Sequence, residues 1–120
     1  MTPSLTDQLA KLKKLPLGFL VGLGVSDCPG GISIEYRSID GSLSPRQRIR
    51  NGLSAKDGFK WTGIGEIVPY GLSVLPRQFC VVVEGESDAW SLWFHGFGAL
   101  GLPGATTSKV LKLNHLGGVE

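Results

Sequence analysis

The stretch that most limits what this chain can fold into runs Phe79-Cys80-Val81-Val82-Val83-Glu84-Gly85-Glu86-Ser87-Asp88. A continuous apolar run rich in β-branched residues reads as a strand buried on both faces. Gly85 permits a sharp turn, and Ser87 is placed to cap a helix beginning near Asp88. Helical spacing follows at Trp90, Trp93, Phe94 and Phe97, a stripe expected to pack against a sheet. A second short apolar run, Ala99-Leu100-Gly101-Leu102, then leads through Pro103-Gly104 towards another helix ending near Leu116. Strand, helix, strand, helix is the opening of a parallel α/β sheet. Such sheets bind ligands at the carboxyl ends of their strands, where Glu84 and Asp88 would lie. Three carboxylates so close together repel one another and favour protonation or a bound metal. A carboxylate directly after three buried valines also needs a cation or hydrogen-bond partner, which marks Glu84 for a metal or acid–base role. Asp88 has the plainer alternative of favouring the positive end of the helix, and Glu86 that of being solvated.

Upstream the pattern is different. Ser4-Leu5-Thr6-Asp7 is a helix start, Leu5, Leu9 and Leu12 recur at helical spacing, and Lys11, Lys13 and Lys14 suit the last turn before Pro16. A second short helix is expected through Phe19 and Leu20 to about Gly24. Asp27-Cys28-Pro29-Gly30-Gly31 reads as a turn. Ile32 to Arg37 alternates strictly, with Ile32, Ile34 and Tyr36 on one face. Asp40-Gly41 is a hairpin signal, Gln47–Arg50 the returning strand and Phe59–Trp61 a third strand, before a loop with Pro69-Tyr70-Gly71. The fold class is therefore α/β, or α+β overall, with short N-terminal helices and an antiparallel β section followed by an incomplete parallel sheet. The segments expected are residues 1–24 (helical), 25–77 (basic antiparallel β) and 78–120 (the start of the parallel sheet).

Charge is distributed unevenly. Arg37, Arg46, Arg48, Arg50, Lys56 and Lys60 are opposed within their segment only by Asp40 and Asp57, whereas residues 78–108 contain no Lys or Arg. A solvated face is the plain account of the basic segment, and a nucleic-acid surface the functional one. The net charge of +2 and hydrophobic fraction of 42% exclude a disordered polyelectrolyte, and the 18 glycines have no collagen period. No apolar run is long enough for a membrane span, and the apolar stretch after the lysine cluster is broken by Pro16, Gly18, Gly22 and Gly24, unlike a signal peptide. A cytoplasmic domain is expected. Cys28 and Cys80 form neither a disulfide framework nor a zinc site.

Several weaker patterns are set aside. Gly96 to Gly101 has dinucleotide-loop spacing but follows a helix and precedes a strand, the reverse of what that fingerprint needs. His95 and His115 have no supporting acid or cysteine nearby and read as structural. Trp61 beside Lys60 can stack a nucleobase, although burial is the simpler reading.

The run Val83-Glu84-Gly85-Glu86-Ser87-Asp88-Ala89, then Leu92-Trp93, then Ala99 to Ala105, resembles the first half of a TOPRIM domain, above all in primase-like proteins of phages and mobile elements. Tyr70-Gly71-Leu72 and the leader from Leu15 to Val25 are similar to the upstream parts of those proteins. The resemblance implies a parent activity of RNA primer synthesis in DNA replication, with Mg²⁺ as cofactor and single-stranded DNA template and nucleotides as partners. Glu84 matches the family's catalytic, metal-linked glutamate and Asp88 its second acidic position, while Glu86 falls at a variable one. Arg46, Arg48, Arg50, Lys56 and Lys60 would contact phosphates. The family's Asp-x-Asp motif is missing from this sequence, so the metal site is expected to be incomplete and these 120 residues inactive alone, as a fragment or truncated product. The alternatives are a non-catalytic nucleic-acid-binding or assembly module, and a nuclease or topoisomerase fragment of the same family. A cut sheet is also expected to self-associate or to borrow the upstream hairpin.

Overall fold

The computed structural model describes residues 4–72 and 81–102. The chain is of mixed α and β class, with a four-stranded antiparallel sheet and a two-stranded parallel one. It divides into two units, Met1–Glu35 with Pro45–Gly65, and Tyr36–Ser44 with Glu66–Glu120. The N-terminal helices therefore share a unit with most of the basic β section, although the sequence suggests separate segments. Among the described residues, no helix is long and apolar enough to cross a membrane.

In the first unit, α1 (Leu5–Lys13) begins at Ser4, whose hydroxyl accepts the Asp7 N–H, and ends at Lys14 in a left-handed conformation. Helix α2 (Leu17–Gly22) starts directly after Pro16, which has the fixed φ but lacks the side-chain cap of a stronger start. Strands β1 (Val25–Cys28), β2 (Gly31–Ile34), β3 (Gln47–Arg50) and β4 (Phe59–Thr62) form a meander in that order. Register puts Val25, Ile34, Arg48 and Trp61 in one row of one face, and Asp27, Ile32, Arg50 and Phe59 in the next. Val25, Ile32 and Ile34 are buried there with Leu9, Ala10, Leu15 and Leu20. The opposite face carries Ser26, Ser33, Ile49 and Lys60.

Three expectations change here. Asp27 and Cys28 belong to strand β1 and not to the turn, which is confined to Pro29 and Gly30. Helix α2 stops at Gly22, and β2 ends at Ile34 and not at Arg37. The Asp40-Gly41 turn does form, closed by Ser38 N–H to Ser42 O (2.8 Å) and Gly41 N–H to Ser38 O (2.9 Å). It sits in an excursion with a single bridge, Arg37 to Leu43, that belongs to the second unit.

In the second unit, β5 (Val81–Glu84) and β6 (Ala99–Leu102) pair in parallel across α3 (Glu86–Phe94). Tyr70 bridges the other edge of β6, exchanging both backbone hydrogen bonds with Gly101 at 2.7 and 2.8 Å. The core is aromatic: Tyr36, Tyr70 and Trp90 are buried, and Tyr70 lies 4.9 Å from Tyr36 and 5.2 Å from Trp93, centroid to centroid. Gly71 at φ +99° lies so close to the Trp93 ring that a Cβ there would clash with it. Only glycine combines that conformation with that approach.

The expected double burial of β5 is not found. Val81 and Val82, on opposite faces, are 41% and 42% exposed. The aromatic stripe is also split, because Trp90 is fully buried while Phe94 and Phe97 are exposed and Phe97 lies beyond the helix. Phe79, Cys80 and everything after Leu102, including the expected last helix and His115, lie outside the described residues.

Candidate nucleic-acid face and carboxylate site

The five basic residues expected to contact phosphates do not share one surface. Arg48 and Arg50 project from alternate positions of β3 onto the helix-covered face, where they are 9% and 4% exposed. Their chemistry is that of a guanidinium tolerating burial. The Arg48 guanidinium carbon lies 4.4 Å from the Phe59 ring centroid and 5.0 Å from that of Trp61, and Arg50 lies 5.5 Å from Phe59. A planar, weakly hydrated cation over a π face recovers part of its lost hydration. Arg50 is pinned further, donating from Nε to Gly52 O (3.0 Å) and from Nη2 to Leu53 O (2.8 Å).

Arg46, half-buried, extends this ladder at 5.9 Å from Trp61. It donates to Thr62 O at 3.1 Å and Gly65 O at 3.3 Å, bracing a loop whose Ile64 is 90% exposed. Lys60 leaves β4 on the opposite face and is exposed, as is Lys56 on the short 3₁₀ helix Ala55–Asp57. A phosphate backbone can therefore meet Lys56 and Lys60 directly, whereas Arg48 and Arg50 act from within the sheet's core face. Trp61 is half-buried as part of the arginine ladder.

Asp27 has a role the sequence did not indicate. Its carboxylate accepts Thr6 Oγ–H at 2.6 Å, Thr6 N–H at 2.8 Å and Leu5 N–H at 3.1 Å, so a strand side chain caps α1. These bonds, the Thr6 hydroxyl first, hold its carboxyl below the ordinary 3.8. In the second unit the Asp40 carboxyl is likewise lowered by hydrogen bonds from Ser42.

In the second unit, Glu84 is the last residue of β5, at its carboxyl end, and is exposed. Because β5 is itself half-open, Glu84 needs no partner to offset burial, contrary to what three buried valines before it would require. Gly85, at φ 82°, turns the chain into α3, which starts at Glu86 and not near Asp88, with no side-chain cap from Ser87. Asp88 is exposed in the first turn of α3. The residue expected to be solvated is the buried one. Glu86 is 3% exposed, and its Oε2 accepts the Tyr36 hydroxyl at 2.8 Å. Nearby, Trp90 Nε1 donates to the Tyr70 hydroxyl at 2.8 Å.

The exposed carboxylates of Glu84, at the strand end, and Asp88, in the first turn of α3, are hard oxygen donors. They suit Mg²⁺, which binds through one or two carboxylates and completes its shell with water and substrate phosphates. Among the described residues, no group of three or more His, Cys, Asp or Glu side chains is arranged to hold a metal. Compared with known proteins, the chain matches no family model, no curated protein and no solved structure.

Proposed function

We propose that this chain is the N-terminal part of a TOPRIM-type primase acting in DNA replication: a basic nucleic-acid-binding section, then the first strand–helix–strand unit of the nucleotidyl-transfer domain. The observation that carries the reading is Glu84 at the carboxyl end of β5, followed by the Gly85 turn and by α3 leading to a parallel β6. That is where parallel α/β sheets present ligand-binding groups.

In this reading Glu84 is the metal-linked carboxylate and Asp88 supports it from the first turn of α3. Mg²⁺, when bound, supplies Lewis-acid stabilisation of charge at phosphoryl oxygens. Glu86 is a core residue that fixes the start of α3 and touches neither metal nor substrate. Lys56 and Lys60 contribute sequence-independent affinity for a phosphate backbone.

The test combines binding and synthesis. Single-stranded DNA affinity is expected to be weak and to fall steeply with salt; binding that ignores salt removes phosphate contacts from the account. With Mg²⁺, nucleotides and a single-stranded template, these 120 residues are expected to make no primer, because their sequence contains no Asp-x-Asp. Template-dependent product that disappears in Glu84→Gln would overturn the division of the metal site.

A further inference from the structure

Between the last turn of α1 and the connection from β3 to β4, the first unit holds a cleft of about 400 Å³ lined by Leu12, Lys13, Arg50, Leu53, Ser54 and Ala55. Its lining has two cationic side chains, one hydroxyl and three apolar side chains; outside that lining, the Asp57 carboxylate accepts the Ser54 N–H at 3.2 Å. A concave, mostly apolar surface with a few fixed polar groups is the usual make-up of a small-ligand site.

Two of the polar groups, Arg50 and Ser54, are held in place. The Arg50 guanidinium is anchored to the Gly52 and Leu53 carbonyls of the same connection, so its position is set by backbone. Ser54 Oγ accepts the Lys56 N–H at 3.1 Å, and its own O–H is a donor. Lys13 comes from the C-terminal turn of α1. A helix C-terminus by itself repels anions. Here the backbone N–H of Lys14 returns to the Ala10 and Lys11 carbonyls, and Leu15 N–H to the Ala10 carbonyl at 2.9 Å, which occupies those oxygens. Lys11 is paired with Asp7 at 3.4 Å, and Lys13 and Lys14 then reverse the local sign. Leu12, 61% exposed, and the exposed Ala55 form an apolar ledge beside these cations.

We propose that this cleft binds a nucleotide, its phosphate accepting hydrogen bonds from Lys13 Nζ and Ser54 Oγ beside the charge of Arg50, with sugar and base over Leu12, Leu53 and Ala55. The choice of a nucleotide over other phosphates rests on the nucleic-acid reading above. The site itself lies within the first unit and involves neither Glu84 nor Asp88. The shared chemistry is a nucleoside phosphate, supplied either free or as one unit of a strand.

The experiment is a titration of the ¹⁵N-labelled chain with adenosine monophosphate, inorganic phosphate and a thymidine oligonucleotide, followed by amide NMR. Saturable shifts centred on Lys13, Leu53, Ser54 and Ala55 are expected. Lys13→Gln should weaken nucleotide binding about tenfold, the loss of one charge-assisted hydrogen bond. Ala55→Trp, at an exposed position, should fill the cleft and abolish binding while the spectrum stays dispersed. Tighter binding of the oligonucleotide at the same residues supports the strand as source, and tighter binding of the monophosphate the free nucleotide. Inorganic phosphate binding as tightly as the monophosphate overturns the nucleotide assignment. Absence of shifts at these residues, or binding unchanged in both variants, overturns the site. If the oligonucleotide binds elsewhere in that case, the nucleic-acid reading stands without the cleft; if the monophosphate fills the cleft but no DNA binds, the reverse holds.

Discussion

The Tyr36 hydroxyl donates to Glu86 Oε2 at 2.8 Å, across a sequence separation of 50 residues, inside the buried core of the second unit. This bond ties the excursion between β2 and β3 to the first turn of α3, directly after the Glu84–Gly85 turn. It also explains why one of three neighbouring carboxylates is buried while the other two face solvent.

Tyr36→Phe removes the donor and leaves the buried carboxylate. A hydrogen bond to a charged group contributes about 1.5–3 kcal/mol, so unfolding in urea should show a loss of about 2 kcal/mol. A change below about 0.5 kcal/mol would mean that Glu86 is equally well satisfied without Tyr36.

Asp27→Ala should destabilise the chain at neutral pH by about 1 kcal/mol, as for loss of a helix cap. The folded-state pKa of Asp27 is lowered, so its contribution is fully present above the ordinary value of 3.8 and fades as pH falls through the lower folded value. Thermal unfolding of the two proteins should therefore differ at pH 7 and converge in strong acid. A difference that grows on acidification would contradict the assignment.

Much of the fold was legible because periodicity reports burial directly. The alternation at Ile32 and Ile34, the helical repeat of Leu5 and Leu9, and the two apolar runs that became β5 and β6 all located their elements. What failed depended on partners distant in sequence. Val25-Ser26-Asp27-Cys28 has one strongly apolar residue, and its strand is secured by pairing with β2 and by the bonds from Asp27 to α1. Arg48 and Arg50 read as surface residues, phosphate-binding or solvated, because charge alone does not reveal the Phe59 and Trp61 rings opposite them. Glu86 read as solvated because nothing nearby in sequence indicates Tyr36. The positions of Glu84 and Asp88, at a strand end and in a first helical turn, were readable from local signals alone.

The buried and exposed cations should separate in mutagenesis. Lys56→Ala with Lys60→Ala should leave stability within about 0.5 kcal/mol, weaken binding to single-stranded DNA and reduce the salt slope by about 0.7 for each phosphate no longer neutralised. Arg50→Ala should instead destabilise by about 2 kcal/mol, because the Gly52 and Leu53 carbonyls lose their donor. Fluorescence anisotropy across a salt series, with urea unfolding of each variant, checks both. A stable Arg50→Ala protein with a reduced salt slope would return Arg50 to the surface.

Val81, Val82, Phe94 and Phe97 of the second unit are 41%, 42%, 42% and 50% exposed. Apolar surface of this kind, with an edge of β5 unpaired among the described residues, favours association. Sedimentation over a concentration series should show reversible self-association, and Val82→Lys should reduce it. A concentration-independent monomer would exclude it.

The proposed activity stands or falls with Glu84 and Asp88 as the metal-linked carboxylate pair. Mn²⁺ accepts the same oxygen ligands as Mg²⁺, and its paramagnetism broadens nearby amide resonances. At low Mn²⁺, broadening should centre on Glu84, Gly85 and Asp88, be reversed by excess Mg²⁺ and be lost in Glu84→Gln. Broadening spread evenly over Asp7, Asp40, Asp57 and the other exposed carboxylates, or left unchanged by Glu84→Gln, would rule the pair out.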